Sequence, residues 1–214
     1  MLDLDRYRHV IWDWNGTLLD DVDAARLIVN AMLRRRGLPG LSRERYHELF
    51  DFPITTYYER AGFDFTRDPF PRLADEFHAG YDASAGGMAL HAGALGALER
   101  VRKHGLEQSI LSAAHQPRLE QQVERYGVRD HFVGLVGIDD HHAGSKVEHG
   151  RRWLATLDRA PAEFVMIGDT VHDHEVAAEL GVGCLLVADG HQPRTRLEQC
   201  GVPVVDSLAE LFLV

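Results

Sequence analysis

The sequence predicts an α/β protein: a doubly wound parallel sheet interrupted by an all-helical insertion. Three observations lead there. Short apolar runs recur, such as Val10-Ile11-Trp12, Phe164-Val165-Met166-Ile167 and Cys184-Leu185-Leu186-Val187, as expected of strands covered on both faces. Segments of helical period lie between them, which is the alternation of βαβ units. From residue 20 to residue 88 the alternation stops and only helical period remains.

Taken in order, Tyr7 to Trp12 reads as a buried strand stopped by the turn pair Asn15-Gly16. Val22 to Arg36 has helical period and ends at Gly37, with Pro39 beyond. The cations Arg34, Arg35 and Arg36 suit the carboxyl end of that helix. Three further helical segments cover Ser42 to Phe50, Ile54 to Arg60 and Pro71 to Asp82. Tyr57, Tyr58, Phe63 and Phe65 are expected to form the core of the insertion, and Arg45, Tyr46 and Arg60 are candidate substrate contacts. Alternation then resumes. A helix from Ala94 to His104 ends at Gly105, and a strand from Gln108 to Leu111 runs into Ser112. A helix from Pro117 to Tyr126 precedes a strand from Phe132 to Val136, and a helix from Lys146 to Leu157 follows. The strand Phe164 to Ile167 runs into Gly168-Asp169 and a helix from Asp173 to Leu180. Strands at Cys184 to Val187 and Val202 to Val205, and a short helix from Leu208, close the chain. The expected division is a core of residues 1–19 and 89–214 and an inserted domain of residues 20–88.

Composition narrows the function. With 23 basic against 33 acidic residues the net charge is -10, which disfavours nucleic acid, whose phosphate backbone needs basic surface. No apolar run has the length of a membrane span, and the amino terminus is polar, without the pattern of a signal peptide. Cys184 and Cys200 have no metal-like spacing and read as reduced thiols, so a cytoplasmic protein is expected.

In a doubly wound sheet, reactive groups collect at the carboxyl ends of strands. Asp13, Ser112 and Asp169 all stand at such ends. Lys146 opens a helix after Gly144-Ser145, and Asp173 lies one turn beyond Asp169 in Gly168-Asp169-Thr170-Val171-His172-Asp173. A strand-end carboxylate such as Asp13 suits a nucleophile. Paired carboxylates suit a hard divalent cation, and Lys146 can offset the negative charge of a phosphate. The Ser112 hydroxyl and the following backbone N–H, that of Ala113, can hold phosphate oxygens without adding charge. Plainer roles are compatible with these: Asp169 as a helix cap, Asp173 as a first-turn acid. Thr17 reads as the residue that holds the turn after Asp13. The run Asp139-Asp140-His141-His142 reads as a loop leading to Lys146 rather than as a metal cluster, because neighbours in an extended segment point in opposite directions.

In order and spacing these segments resemble the haloacid dehalogenase superfamily, in the phosphoglycolate-phosphatase-like branch with a helical cap after the first strand. The resemblance covers nearly the whole chain. It implies a Mg²⁺-dependent phosphatase acting on a small phosphorylated metabolite through an aspartyl-phosphate on Asp13; a monomer or homodimer is expected, and the sequence does not choose between them. It further implies metal contacts from Asp13, the Asn15 backbone carbonyl, Asp169 and Asp173, and phosphate contacts from Ser112, Ala113 and Lys146. A phosphotransferase or mutase fits the same residues. A phosphonatase fits poorly, since residues 20–88 contain no lysine to form a Schiff base.

The chain departs from the family at one catalytic position. Two residues beyond the nucleophile the family's phosphatases have an aspartate that moves protons, and here stands Asn15. An amide hydrogen-bonds but cannot serve as that acid and base, and such help is worth ~10²–10⁴-fold. Three consequences are open. Another group, such as His172, His174 or His115, takes over the proton. The substrate's leaving group needs little help. Or turnover is lost, and the fold binds a phosphorylated ligand. Asn15-Gly16 is also a pair prone to deamidation, which would create the missing aspartate in a fraction of molecules.

Overall fold

The structure, a computed structural model, describes residues 3–138 and 146–212. The run Asp139-Asp140-His141-His142 and the pair Gly144-Ser145 lie outside the described residues. β1 (His9–Trp12) sits at the centre of a six-stranded sheet. On one side lie β4 (Glu107–His115) and β5 (Gly134–Ile138), and on the other β6 (Phe164–Gly168), β7 (Gly183–Val187) and β8 (Val204–Val205). All neighbours in this sheet run parallel, so their carboxyl ends share one edge. The chain reverses its direction of travel across the sheet at β1, and the crevice at such a switch point is where doubly wound folds bind ligands.

The apolar runs are continuous because both faces are covered. Val10 and Trp12 point into one core with Ile110, Val165 and Ile167. Ile11 points into the other with Leu111, Met166 and Val176. The strand period of two assigns successive residues to opposite layers. The first layer is closed by α5 (Ala94–Lys103) and α6 (Gln116–Arg125), the second by α7 (Lys146–Leu154) and α8 (Val171–Leu180). Trp12 and Trp14 are fully buried, and each indole N–H donates to a buried glutamine, Gln108 and Gln122, at 2.9 Å. These two indoles therefore leave no unsatisfied donor in the core.

The helical segment holds α1 (Val22–Arg35), α2 (Arg43–Leu49), α3 (Ile54–Ala61) and α4 (Phe70–Ser84). Arg35 and Arg36, at the end of α1, pair with Glu76 of α4, and Arg36 also pairs with Asp68. The base of the segment is closed by an antiparallel ribbon of β2 (Leu19–Asp20) and β3 (Ala89–Leu90). Two-residue strands carry too little period to be read in sequence. The segment is tied to the core at its α2–α3 loop. Arg196, in α9 (Arg194–Leu197), pairs with Asp51 at 2.6 Å and donates to the Phe50 carbonyl, as Gln192 does. Among the described residues no helix is long and apolar enough to cross a membrane.

Several boundaries differ from the sequence reading. β4 continues past Ser112 to His115, through a register irregularity that keeps its last residue paired with β5. α8 starts at Val171, two residues before Asp173, because Thr170 is its cap. Cys184 and Cys200 are free thiols, as expected.

Candidate active site

β1 delivers Asp13 to the sheet edge, where its N–H donates to the Ile167 carbonyl of β6 at 2.8 Å. The backbone of Asp13 is thus fixed before its side chain makes any contact. The chain then folds back through Gly16 at φ 78°, and a Cβ there would lie 2.4 Å from a carboxylate oxygen of Asp169. Only glycine allows both the dihedral and the approach. Thr17 does hold this turn, donating to Asp169 Oδ1 at 2.8 Å.

Asp169 follows β6 directly. Its Oδ2 accepts from the His191 N–H at 2.7 Å. Thr170 and Asp173 form a reciprocal cap at the start of α8: the Thr170 hydroxyl accepts from the Asp173 N–H, while Asp173 Oδ2 accepts from the N–H groups of Asp169 and Thr170 and from the Thr170 hydroxyl. The other oxygen of Asp173 accepts from Lys146 Nζ at 2.6 Å, and the same Nζ donates to Asp13 Oδ1 at 2.6 Å. Lys146 is one of only two lysines in the chain and is buried to 5% exposure.

Asp13, Asp169 and Asp173 place carboxylate oxygens within 4.8 Å of one another. Three buried carboxylates therefore face one ammonium. Burial, with repulsion from Asp173 and Asp169, pushes the Asp13 carboxyl up against the pull of Lys146. Burial likewise raises Asp169, against the pull of His191. Asp173 goes the other way, because contact with Lys146 outweighs its burial. Burial alone would lower Lys146, but the two aspartates outweigh it and hold the ammonium charged. This is a hard oxygen donor set with excess negative charge, the chemistry of a divalent cation site.

Ser112, 1% exposed, lies across the site on β4, and its Oγ accepts from the Ala114 N–H at 3.0 Å. Ser112, Ala113, Lys146, Asp13 and Asp173 line one small cavity. The six residues read from sequence as site residues, with Asn15, come together at this edge.

The chain matches the family model of haloacid dehalogenase-like hydrolases over residues 10–187. The chain belongs to that family. It is 27% identical over 235 residues to a phosphoglycolate phosphatase of Chromobacterium violaceum, which covers 99% of this chain and 97% of the relative. It is 26% identical over 211 residues to tyrosine-protein kinase PtkA of Mycobacterium tuberculosis, covering 94% of this chain and 69% of the relative. Among solved structures, a haloacid dehalogenase-like hydrolase from Streptococcus pneumoniae superposes with a TM-score of 0.84 over 97% of both chains at 17% identity.

Asn15 sits in a closed hydrogen-bond network. Its amide donates both hydrogens, to Asp21 Oδ2 at 2.8 Å and to the Tyr81 hydroxyl at 2.7 Å, and Tyr81 in turn donates to Asp21. Asp21 is 2% exposed and also accepts from the Gly16 N–H. His191 Nε2 lies 3.3 Å from Asp21, and its Nδ1 lies 2.8 Å from the Tyr46 hydroxyl. Burial would lower His191, but Asp21, Asp169 and Asp13 raise it to about 9, so the imidazole is charged at neutral pH. Asp21 is correspondingly low despite its burial, chiefly through His191.

Sequence reasoning missed Asp21, Tyr81 and His191. A signal for His191 existed: it follows the end of β7, and reactive groups gather at strand ends. Asp21 and Tyr81 gave none, because 60 positions separate them and only folding joins them. Of the proton-carrier candidates, His172 lines the phosphate-sized cavity and stacks on Phe52 at 4.6 Å, where burial and Lys146 lower its pKa. His115 lines the larger chamber beside it, and His174 lines neither. Tyr46 lines the chamber, whereas Arg45 and Arg60 pair with Glu48 and Asp51 and line neither space.

Proposed function

We propose that this chain is a Mg²⁺-dependent phosphatase of a small phosphorylated metabolite. The observation that carries the reading is the Lys146 ammonium held between Asp13 and Asp173, with Asp169 completing the acidic cluster. Phosphatases among the relatives, named for phosphoglycolate and for N-acetylmuramic acid 6-phosphate, support the substrate class.

Asp13 is the nucleophile. A carboxylate oxygen bonds to phosphorus as the ester P–O bond breaks, and the electron pair leaves with the substrate oxygen. Lys146 stands against the nucleophile and neutralises the charge that gathers there. Ser112 and the Ala113 N–H hold the phosphoryl oxygens. Water then attacks phosphorus, the acyl-phosphate bond to Asp13 breaks, and inorganic phosphate leaves. Asp13, Asp169, Asp173 and the Asn15 carbonyl would hold the cation, whose bound charge stabilises the transferring phosphoryl group. Residues 20–88 act as the cap that excludes water from the reaction and admits the substrate.

Asn15 favours a second reading within the same chemistry. An amide with both hydrogens already donated cannot activate the attacking water, so transfer to another acceptor competes with hydrolysis. The relative named as a tyrosine kinase is consistent with a phosphotransferase. Phosphate release from a panel of esters, with and without Mg²⁺, in the parent and Asp13→Asn, tests the proposal. Release that requires both Mg²⁺ and Asp13 is expected. Saturable binding of phosphate esters without turnover or transfer would make the chain a binding protein instead.

A further inference from the structure

Above the phosphate-sized cavity the structure holds a second space of about 380 Å³, between the helical segment and the core. The two spaces are continuous in their walls, for Asn15, Phe50, Phe52, Ala113 and His191 line both. A substrate with its phosphate on Lys146 would therefore project its remaining atoms into the chamber. The walls there are predominantly apolar and aromatic: Phe50, Phe52, Tyr57, Tyr58, Phe77 and Tyr81. Several of these rings already pack on one another, with Tyr57 against Phe50 at 5.4 Å and Phe77 against Tyr81 at 5.7 Å.

Size comes first. A cavity of ~150 Å³ takes a benzene ring. This one has room for a substituted or fused ring, and a two-carbon acid would leave most of it filled with water against apolar walls. Leaving-group chemistry is independent of size and points the same way. Asn15 cannot protonate a departing oxygen, and its amide is committed to Asp21 and Tyr81. A phenolate departs without a proton, whereas an alkoxide does not. Rings on the walls offer edge and face contacts to another ring.

We infer that the substrate is a phosphate monoester of a phenol, with its aromatic ring seated in the chamber and its phosphate at Lys146. This rests on the phosphatase reading above and names its substrate class. In the first step the Asp13 oxygen bonds to phosphorus and the P–O(aryl) bond breaks. The electron pair stays on the phenolate oxygen, which takes a proton from solvent after release. Water then cleaves the aspartyl-phosphate to carboxylate and inorganic phosphate.

The test compares kcat/KM with Mg²⁺ for phenyl phosphate, hexyl phosphate, acetyl phosphate and 2-phosphoglycolate. Hexyl phosphate fills the chamber but leaves as an alkoxide; acetyl phosphate has a good leaving group but no ring. Phenyl phosphate should exceed hexyl phosphate and 2-phosphoglycolate by about 10²-fold, the low end of the lost acid–base help. Against acetyl phosphate, whose leaving group is the better one, the ring should show in KM, about tenfold lower for phenyl phosphate, the low end of what burial of a phenyl ring contributes. Ala74, on the chamber wall, supplies a second probe: Ala74→Phe should lower the phenyl-to-acetyl ratio about tenfold. A phosphotyrosyl peptide run beside phenyl phosphate distinguishes a protein side chain from a free metabolite as the source of the phenol. Hexyl phosphate turned over as well as the aryl esters, or an acetyl phosphate KM as low as theirs, overturns the inference and leaves the phosphatase reading intact. Failure of every ester to release phosphate in an Mg²⁺- and Asp13-dependent way overturns the phosphatase reading itself. Should Ala74→Phe not fold, the order of the four esters on the parent decides alone.

Discussion

Asp13, Lys146, Asp169 and Asp173 on the core side, and Phe50, Tyr57, Phe77 and Tyr81 on the helical side, bound one continuous site but are held in different ways. The core group sits at strand ends and a helix start, each member fixed by backbone hydrogen bonds or by a partner at 2.6–2.8 Å. The helical group sits on α3, α4 and the α2–α3 loop and is held by ring packing. Directional contacts fix reacting atoms to fractions of an ångström, whereas packing fixes shape and volume. On the proposed function, the reaction would belong to the core and the choice of substrate to the insertion. Asn15 and His191 stand on the seam and touch both.

Breaking the core side should have the largest effect. Asp13→Asn is expected to lower kcat for phenyl phosphate by on the order of 10³-fold or more, since the nucleophile and its intermediate are lost together. Phosphate release under saturating Mg²⁺ measures it. Lys146→Met should cost stability as well as rate. It leaves Asp13 and Asp173 buried without their cation, and breaking a buried ion pair typically costs ~3–5 kcal/mol. A denaturant midpoint lowered accordingly is the expected result, with partial recovery on adding Mg²⁺.

The seam offers a finer test. Asn15→Asp would set a second carboxylate against Asp21, where an amide hydrogen is now donated at 2.8 Å. It should therefore destabilise the protein and fail to restore the family's proton transfer in full. The exchange Asn15→Asp with Asp21→Asn removes the repulsion. The double variant should be more stable than the sum of the single changes by ~1–3 kcal/mol, and thermal melts of all four proteins provide the cycle.

The smallest effect is at the tie between the two sides. Burial would raise Asp51, but Arg196 and Arg60 outweigh it and hold its carboxyl below the ordinary range. A depressed folded pKa contributes stability that is full above the unfolded value near ~4 and fades as pH falls through the folded one. Asp51→Asn should therefore cost about 1 kcal/mol at pH 7 and make stability less sensitive to acid below pH 4.

Much of this was legible in the chain itself. Val10 to Trp12 and Phe164 to Ile167 announce strands because a sheet covered on both faces admits no polar alternation. The same local rule places Asp13 and Asp169 at the reactive edge, and Gly37 and Gly105 stop helices as glycine does. The terminus of β4 was not legible, since Ala113, Ala114 and His115 carry no strand period and run through a register irregularity to the pairing of His115 with Ile138 of β5. The Asn15, Asp21, Tyr81 and His191 network was hidden for a related reason. Its hydrogen bonds join elements up to 170 positions apart, and such contacts leave no period in the sequence. The aromatic residues of the insertion were visible as core, but that they enclose a chamber follows only from how three helices meet the sheet edge.

The measurement closest to the centre is mass spectrometry of protein quenched in acid during turnover of phenyl phosphate with Mg²⁺. A phosphoryl adduct on the peptide containing Asp13, absent without Mg²⁺ and absent in Asp13→Asn, is the expected result. Phosphate released at full rate with no adduct at Asp13, or by the Asp13→Asn protein, would contradict the account.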